Sequence, residues 1–218
     1  MVATEQSSAL ASDWFAFLIA GLAVALLVAA LIVFAMVRFR RRDDAMPRQF
    51  RTNTPLEIGW TIAPLVLVGA LFVVSYRVEA RVDTVSAHPD LTVRVNGYRW
   101  GWTFAYDGGP TVGGASDGPV LGKTAGPPPQ LVLPLGETTR IELTSSDVNH
   151  AFWVPDFLFK RDAIPGTTNT FDLRPDKLGT FVGHCAQFCG FDHALMSFSV
   201  RVLAPDAFAA WRRTAQAS

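Results

Sequence analysis

Residues 14–37 read WFAFLIAGLAVALLVAALIVFAMV, a run of 24 residues without a charged side chain. Wound as an α-helix with a rise of 1.5 Å per residue, this run would be about 36 Å long, enough to cross the hydrocarbon core of a bilayer with some tilt. We therefore predict a membrane-spanning helix here. A cleaved signal peptide is the alternative, but residues 1–13 contain neither Lys nor Arg, and the apolar run is too long for such a peptide.

A second uncharged run, IGWTIAPLVLVGALFVVSY, covers residues 58–76 and also has the length of a membrane span, with 19 residues. Pro64 near its start is tolerated where neighbouring helices satisfy the backbone. Between the two runs, six arginines stand against two aspartates: Arg38, Arg40, Arg41, Arg42, Arg48 and Arg51 against Asp43 and Asp44. Such a positive loop stays in the cytoplasm. We therefore expect a helical hairpin within residues 1–78, with both termini and residues 79–218 on the outer side.

The exported segment is long enough for one hydrophobic core and has an all-β pattern. Its strand-like stretches are rich in Val, Ile, Thr and aromatic residues. They are LTVRVNGYRWGWTFAY (91–106), QLVLPLGETTRIELTSSD (130–147), TNTFDLRPDKLGTFVG (168–183) and LMSFSVRVLAP (195–205), followed by a short helix at PDAFAAWRR (205–213). Basic and acidic residues number 19 each, so no basic excess indicates a nucleic-acid partner. We predict a membrane-anchored all-β protein.

Residues 184–196 read HCAQFCGFDHALM and contain both cysteines of the chain, two of its four histidines and one of its four methionines. Thiolate, imidazole and thioether are ligands that copper and other soft metals prefer. A blue-copper site uses one Cys, two His and a weak axial Met. The second thiolate here allows two copper ions bridged by two sulfurs, provided that another histidine comes from elsewhere. A candidate is His150, which we expect on a turn after a strand.

Two other interpretations of this cluster use fewer of its residues. A disulfide between Cys185 and Cys189 is possible in an exported domain, but it leaves His193 and Met196 unexplained. A zinc site would have no use for the methionine.

From the first span to about Pro205, the chain resembles subunit II of the haem–copper cytochrome c oxidases. In that family the copper loop reads C-x-E-x-C-x3-H-x2-M, the distant histidine lies in D-V-x-H-x-F/W-x-V-P, and an aromatic Q-W-x-W run precedes them. The corresponding stretches here are CAQFCGFDHALM (185–196), DVNHAFWVP (147–155) and RWGW (99–102), with KRDAIPG (160–166) in its family position. The resemblance implies a cupredoxin-like β-barrel or sandwich that holds a dinuclear copper A centre. Its ligands would be His150, Cys185, Cys189, His193, Met196 and the main-chain carbonyl of Gln187.

Three positions take a further meaning from the family. The family's Glu at the position of Gln187 also helps to bind magnesium at the contact with subunit I, and a neutral amide is a weaker ligand for that ion, which counts against a magnesium site. Trp100 corresponds to the entry point for electrons from cytochrome c, although it could simply pack a strand. Glu57, in EIGWTIAP (57–64), corresponds to the entrance of a proton path, although it could be an interface charge.

The function that the resemblance implies is electron transfer. Cytochrome c would reduce the copper A centre, which would reduce a haem in subunit I, where oxygen is converted to water and protons are translocated. Haem would belong only to the partner subunit, since the chain has no C-x-x-C-H motif. The expected partners are subunit I, the other oxidase subunits, cytochrome c and the lipid of a bacterial plasma membrane. The alternatives are the copper A subunit of a nitric oxide reductase and a membrane-tethered copper carrier, which would need exposed ligands and no RWGW run.

Overall fold

A computed structural model describes residues 2–41, 46, 49, 51–115 and 128–216 of the chain. These residues form two compact units. One consists of residues 12–80, and the other contains the residues from Arg81 onward together with the N-terminal segment up to Ala11. In the positive loop, Arg42 and Arg48 lie outside the described residues, and the other four arginines are exposed.

Two long helices carry the two apolar runs: α1 spans Glu5–Arg38 and α2 spans Thr54–Asp83. Most of their large apolar side chains are exposed, and by length and composition both helices are able to cross a membrane. The prediction of two N-terminal spans is therefore confirmed. At 34 and 30 residues, the helices are about 51 and 45 Å long, so each extends beyond a hydrocarbon core of about 30 Å.

The start of α2 is capped by a reciprocal pair of hydrogen bonds. The Leu56 N–H donates to Asn53 Oδ1 over 3.4 Å, and the Asn53 N–H donates to Glu57 Oε1 over 3.1 Å. Such a pair satisfies two backbone donors near the helix start. Within the same unit, the Ser75 hydroxyl donates to Asp13 Oδ2 over 2.9 Å and joins α2 to α1.

The described residues between Leu91 and Leu203 form a β-sandwich of two five-stranded sheets. The first sheet contains β1 (Leu91–Tyr98), β2 (Gly101–Tyr106), β3 (Thr111–Ala115), β5 (Thr139–Ser145) and β8 (Asn169–Leu173), in the order β3-β2-β1-β5-β8. The second contains β4 (Gln130–Pro134), β6 (His150–Val154), β7 (Phe159–Ala163), β9 (Gly179–Cys185) and β10 (Ser197–Leu203), in the order β4-β10-β9-β6-β7. A helix, α3 (Pro205–Gln216), follows.

An aromatic cluster fills the space between the sheets next to His150. The Phe198 ring lies 4.8 Å from the Phe152 ring and 5.3 Å from the Trp102 ring, and all three side chains are fully buried. The Trp102 ring also lies 6.2 Å from the ring of His150. Because close-packed aromatic rings leave little room for movement, this cluster restricts the position of the His150 ring that packs against it.

The predicted all-β class is confirmed, and strands or α3 occupy all of the stretches that the sequence assigned to them. The structure adds β3, β6 and β7. The expectation that His150 lies on a turn was wrong: it is the first residue of β6 and pairs with Ala163 of β7. The strand is only five residues long and follows a polar turn directly, so its alternation was hard to recognise.

The N-terminal segment packs into the unit that contains the sandwich. Ala3, Thr4 and Ser7 are completely buried, and Thr4 forms an isolated β-bridge with Pro175. The Ser7 hydroxyl donates to the Thr4 carbonyl over 2.8 Å and accepts the Thr4 N–H over 2.9 Å. The start of the chain is therefore part of the folded unit that contains the sandwich.

Candidate metal centre

One loop and one neighbouring strand bring the sulfur and imidazole donors together. β9 ends at Cys185, and the loop that follows ends at Met196, directly before β10. The Cys185 N–H donates to the Met196 carbonyl over 2.9 Å and closes this loop. β6 lies beside β9, with Phe152 opposite Cys185, so the strand pairing carries His150 to the loop from 35 residues away.

The two thiols lie at the middle of the cluster, with an imidazole beside each. The Cys185 and Cys189 Sγ atoms are 3.8 Å apart. His150 Nδ1 lies 3.8 Å from Cys185 Sγ, and His193 Nδ1 lies 3.6 Å from Cys189 Sγ. His150, Cys185 and Cys189 are buried, so the donor atoms are held away from water.

Two weaker donors complete the set. The Met196 sulfur lies 3.8 Å from Cys189 Sγ, and the Gln187 carbonyl oxygen lies 3.2 Å from Cys185 Sγ. The Gln187 side chain is exposed, whereas Met196 is 1% exposed. The main chain of Gln187, not its amide, therefore faces the cluster.

These separations fit bound metal. Around a tetrahedral ion with metal–sulfur bonds of about 2.3 Å and metal–nitrogen bonds of about 2.0 Å, neighbouring sulfur and nitrogen atoms lie about 3.5 Å apart and neighbouring sulfurs about 3.8 Å apart. The six donors exceed what one tetrahedral ion accepts, and two sulfurs placed between two imidazoles suit two ions that share both sulfurs. Both cysteines are free thiols in this structure, so the disulfide interpretation is not the state described here.

The electrostatics of the thiol pair favour a cation between them. Burial acts to raise the pKa of the Cys185 thiol, but hydrogen bonds involving His150 and the backbone of Ala151 outweigh it and lower the pKa. Burial and the neighbouring Cys185 charge raise the pKa of Cys189. Two adjacent thiolates repel each other, so the second proton leaves readily only when a metal takes its place.

Asp147 orients the histidine that comes from β6. Its Oδ1 lies 2.9 Å from His150 Nε2, on the side of the ring opposite the sulfur. Burial acts to raise the pKa of Asp147, yet hydrogen bonds from His150, Val148 and Arg99 lower it to about 2, so the carboxylate is charged. A carboxylate on the remote nitrogen fixes the ring and makes the other nitrogen a better ligand.

Trp100 lies beside the loop of residues 185–196 rather than in the core. Its side chain is half-buried, and its indole N–H donates to the Cys189 carbonyl over 3.3 Å. Gly190, with φ of +119°, leaves room for the indole: a Cβ there would lie 3.2 Å from Trp100 Cζ2. Sequence reasoning did not identify Gly190, although a glycine directly after a ligand cysteine was the available signal. Trp102, by contrast, is completely buried.

Two other candidates do not belong to the cluster. Glu57 is in the membrane-spanning unit, where its carboxylate caps α2; its role in a proton path stays a prediction. His184 precedes Cys185 on β9 and packs against Trp153, with ring centres 6.1 Å apart. Adjacent residues of a strand point to opposite faces, so His184 faces away from the thiols.

Comparisons with known proteins agree with this geometry. The model of the transmembrane domain of cytochrome c oxidase subunit II matches residues 4–78, and the model of its periplasmic domain matches residues 127–203. The probable cytochrome c oxidase subunit 2 of Streptomyces avermitilis is 38% identical over an alignment of 237 residues, gaps included. The alignment covers 94% of this chain and 74% of the relative. The cytochrome c oxidase subunit 2 of Mycobacterium bovis is 34% identical over 250 residues, with coverages of 91% and 69%.

A solved structure supports the sandwich. The crystal structure of the periplasmic domain of subunit II of cytochrome oxidase from Bradyrhizobium japonicum is similar to this chain with a TM-score of 0.52 and 34% sequence identity. The match covers 61% of this chain and 98% of that chain.

Proposed function

The chain belongs to the cytochrome c oxidase subunit II family, and on that premise we propose that its loop and β6 hold a dinuclear copper A centre. The proposed ligands are His150, Cys185, Cys189, His193, Met196 and the carbonyl of Gln187. When bound, the copper pair supplies a one-electron carrier between cytochrome c and a haem of subunit I, where oxygen is reduced to water with proton translocation.

The observation that carries this proposal is the pair of thiols placed between two imidazoles, with thioether and carbonyl oxygen beside them. Soft sulfur and imidazole ligands select copper, and the donors converge at ligand-to-ligand separations. The buried aromatic cluster and Asp147 hold His150 in place, so the protein itself resists a change in the position of this ligand. Trp100 links the loop to the protein surface through its hydrogen bond to Cys189.

Two observations favour this function over the alternatives. His150, Cys185, Cys189 and Met196 are at most 6% exposed, whereas a copper carrier needs ligands that exchange metal with a partner. The similar proteins of Streptomyces avermitilis and Mycobacterium bovis are named as cytochrome c oxidase subunits, which favours oxygen over nitric oxide as the terminal acceptor. Subunit I and the other oxidase subunits are the partners implied by that family.

We also propose that the protein lies in a bacterial plasma membrane with both termini and the sandwich on the outer side. The arginine-rich segment between α1 and α2 supports a cytoplasmic loop. The N-terminal segment packs into the same compact unit as the sandwich, which is consistent with an exported N-terminus. The test is protease treatment of right-side-out membrane vesicles. A tag in the connecting loop should be protected, whereas a C-terminal tag should be cleaved.

The direct test of the proposed centre is its copper content and magnetic signature. The copper-loaded full chain is expected to bind two coppers and to give a seven-line hyperfine pattern in electron paramagnetic resonance, because one unpaired electron is shared by two equivalent nuclei of spin three-halves. A four-line pattern with one copper per chain would refute the dinuclear assignment.

Gln187 allows the main-chain and side-chain roles at this position to be separated. Since only the carbonyl faces the cluster, Gln187→Ala should keep the copper spectrum. Gln187→Glu in the whole oxidase should strengthen manganese or magnesium binding, because carboxylate is a better ligand than amide for hard cations. The measurement is titration with Mn²⁺ followed by magnetic resonance.

The matched control is Phe188→Glu, which adds a carboxylate to the next exposed residue of the loop and should not strengthen manganese binding. Loss of the copper signal in Gln187→Ala would contradict the carbonyl assignment. Equal manganese binding by the two Glu variants would show that the position of the carboxylate is immaterial.

A further inference from the structure

A cavity with two arginines in its lining lies where the N-terminal segment packs beside the sandwich. Its volume is about 330 Å³, in the range of small-ligand sites. Two arginines, Arg81 and Arg174, line it together with the hydroxyls of Thr84, Ser86 and Thr138. Every lining residue belongs to the same compact unit as the sandwich, and none is a proposed copper ligand.

The acidic groups of the cavity leave it positively charged. Asp172 is neutralised, because Arg140 Nε donates to its Oδ1 over 2.6 Å and the Ser86 N–H donates to its Oδ2 over 2.6 Å. Glu5 lies 3.4 Å from Arg174, but both side chains are more than half exposed, so this pair is weak and easily opened. In the described parts of the chain, no salt bridge joins Arg81 to a carboxylate. The Arg81 guanidinium is therefore available to an anion.

Two of the cavity residues lie on α1 and α2, a few residues in sequence from the apolar runs. Along α1, Ala9 lies five residues before Trp14, where the apolar run begins, and along α2, Arg81 lies five residues after Tyr76, where the other run ends. Five residues of helix rise by about 7.5 Å. The headgroup layer beyond the hydrocarbon core is about 5–8 Å thick on each side. Trp14 and Tyr76 are themselves residue types that prefer this interface.

We propose that this cavity binds the phosphate group of an anionic phospholipid from the exported side of the membrane. Arg81 and Arg174 would donate charge-assisted hydrogen bonds to the phosphate oxygens, and the hydroxyls of Ser86 and Thr138 would supply neutral donors. Because Ala9 and Arg81 lie on α1 and α2 only five residues from the apolar runs, a rise of about 7.5 Å, a phosphate held here would be at the depth of a lipid headgroup. The site is independent of the copper loop, so its occupancy does not depend on the proposed electron transfer.

The test is lipid binding by the full chain in detergent, measured by native mass spectrometry as phosphatidylglycerol or phosphatidylcholine is added. The wild-type chain is expected to retain one phosphatidylglycerol in preference to phosphatidylcholine. Arg81→Gln should weaken that binding by about tenfold, the effect of losing a charge-assisted hydrogen bond. Arg77→Gln is the matched control, because Arg77 lies one helical turn closer to the membrane, is exposed and does not line the cavity.

Three outcomes would overturn the proposal. Equal weakening by Arg77→Gln and Arg81→Gln would show that phosphatidylglycerol follows general positive charge and not the cavity. Equal retention of phosphatidylcholine and phosphatidylglycerol by the wild-type chain would remove the selectivity for an anionic lipid. Displacement of the lipid by inorganic phosphate at equal concentration would assign the site to the free anion. Arg174→Gln, which removes the other lining arginine, should weaken binding in the same direction as Arg81→Gln.

Discussion

Replacing Cys189 with serine is expected to remove the dinuclear centre. Cys189 Sγ lies within 3.8 Å of three other proposed donor atoms: Cys185 Sγ, His193 Nδ1 and Met196 Sδ. It is therefore placed at the middle of the donor set. A serine hydroxyl stays protonated at neutral pH and is a hard oxygen donor, so it cannot replace a thiolate that bridges two soft ions. Copper content should fall from two to at most one per chain, and the seven-line pattern should become a four-line pattern.

A matched control lies in the same loop. Phe191 is 79% exposed, so Phe191→Ser introduces the same hydroxyl side chain into the loop without removing a donor, and it should retain two coppers and the seven-line pattern. Thermal unfolding of the metal-free variants checks that both still fold. Two coppers and an unchanged spectrum in Cys189→Ser would contradict the bridging role of this thiol.

The parts of the molecule that could be predicted from sequence are those encoded by local patterns. The two apolar runs lie within α1 and α2, because a span of that length needs only composition. The loop donors could be recognised because Cys185, Cys189, His193 and Met196 lie within twelve consecutive residues. His150 could be offered as a candidate from its place after a predicted strand, and the family motif supports it. The pairing of β6 with β9, which places His150 beside Cys185, has no signal in local periodicity.

The parts that escaped prediction depend on long-range packing of residues without a distinctive pattern. Ala3, Thr4 and Ser7 are small residues in a segment with no strand or core pattern, yet they are completely buried in the unit that contains the sandwich. The cavity lined by Arg81 and Arg174 has the same origin, because these two residues and the N-terminal segment are far apart in sequence. Only the register of a folded unit brings such residues together.

Trp100→Ala is expected to slow the reduction of the copper-loaded protein by cytochrome c by orders of magnitude, with copper content and protein level nearly unchanged. The indole is half-buried and reaches from the surface to the Cys189 carbonyl, so its removal breaks the contact between a docked donor and the backbone of a ligand residue. Stopped-flow reduction, measured beside a copper assay, separates electron entry from copper binding.

The chain supplies two tryptophan controls that decide between an electron path and simple packing. Trp102 is completely buried, so Trp102→Ala should cost about 3–5 kcal/mol of unfolding free energy and release copper. Trp153 is 38% exposed and packs against His184, away from the thiols, so Trp153→Ala should leave the reduction rate unchanged.

If Trp100→Ala unfolds and loses copper as Trp102→Ala does, Trp100 is a packing residue. If it stays folded and copper-loaded but is reduced at the wild-type rate, Trp100 is not on the electron path, although the copper ligands would stand. A copper carrier would show no dependence on cytochrome c in any of these proteins, so a slow phase that appears only in Trp100→Ala distinguishes an electron-transfer subunit from a carrier.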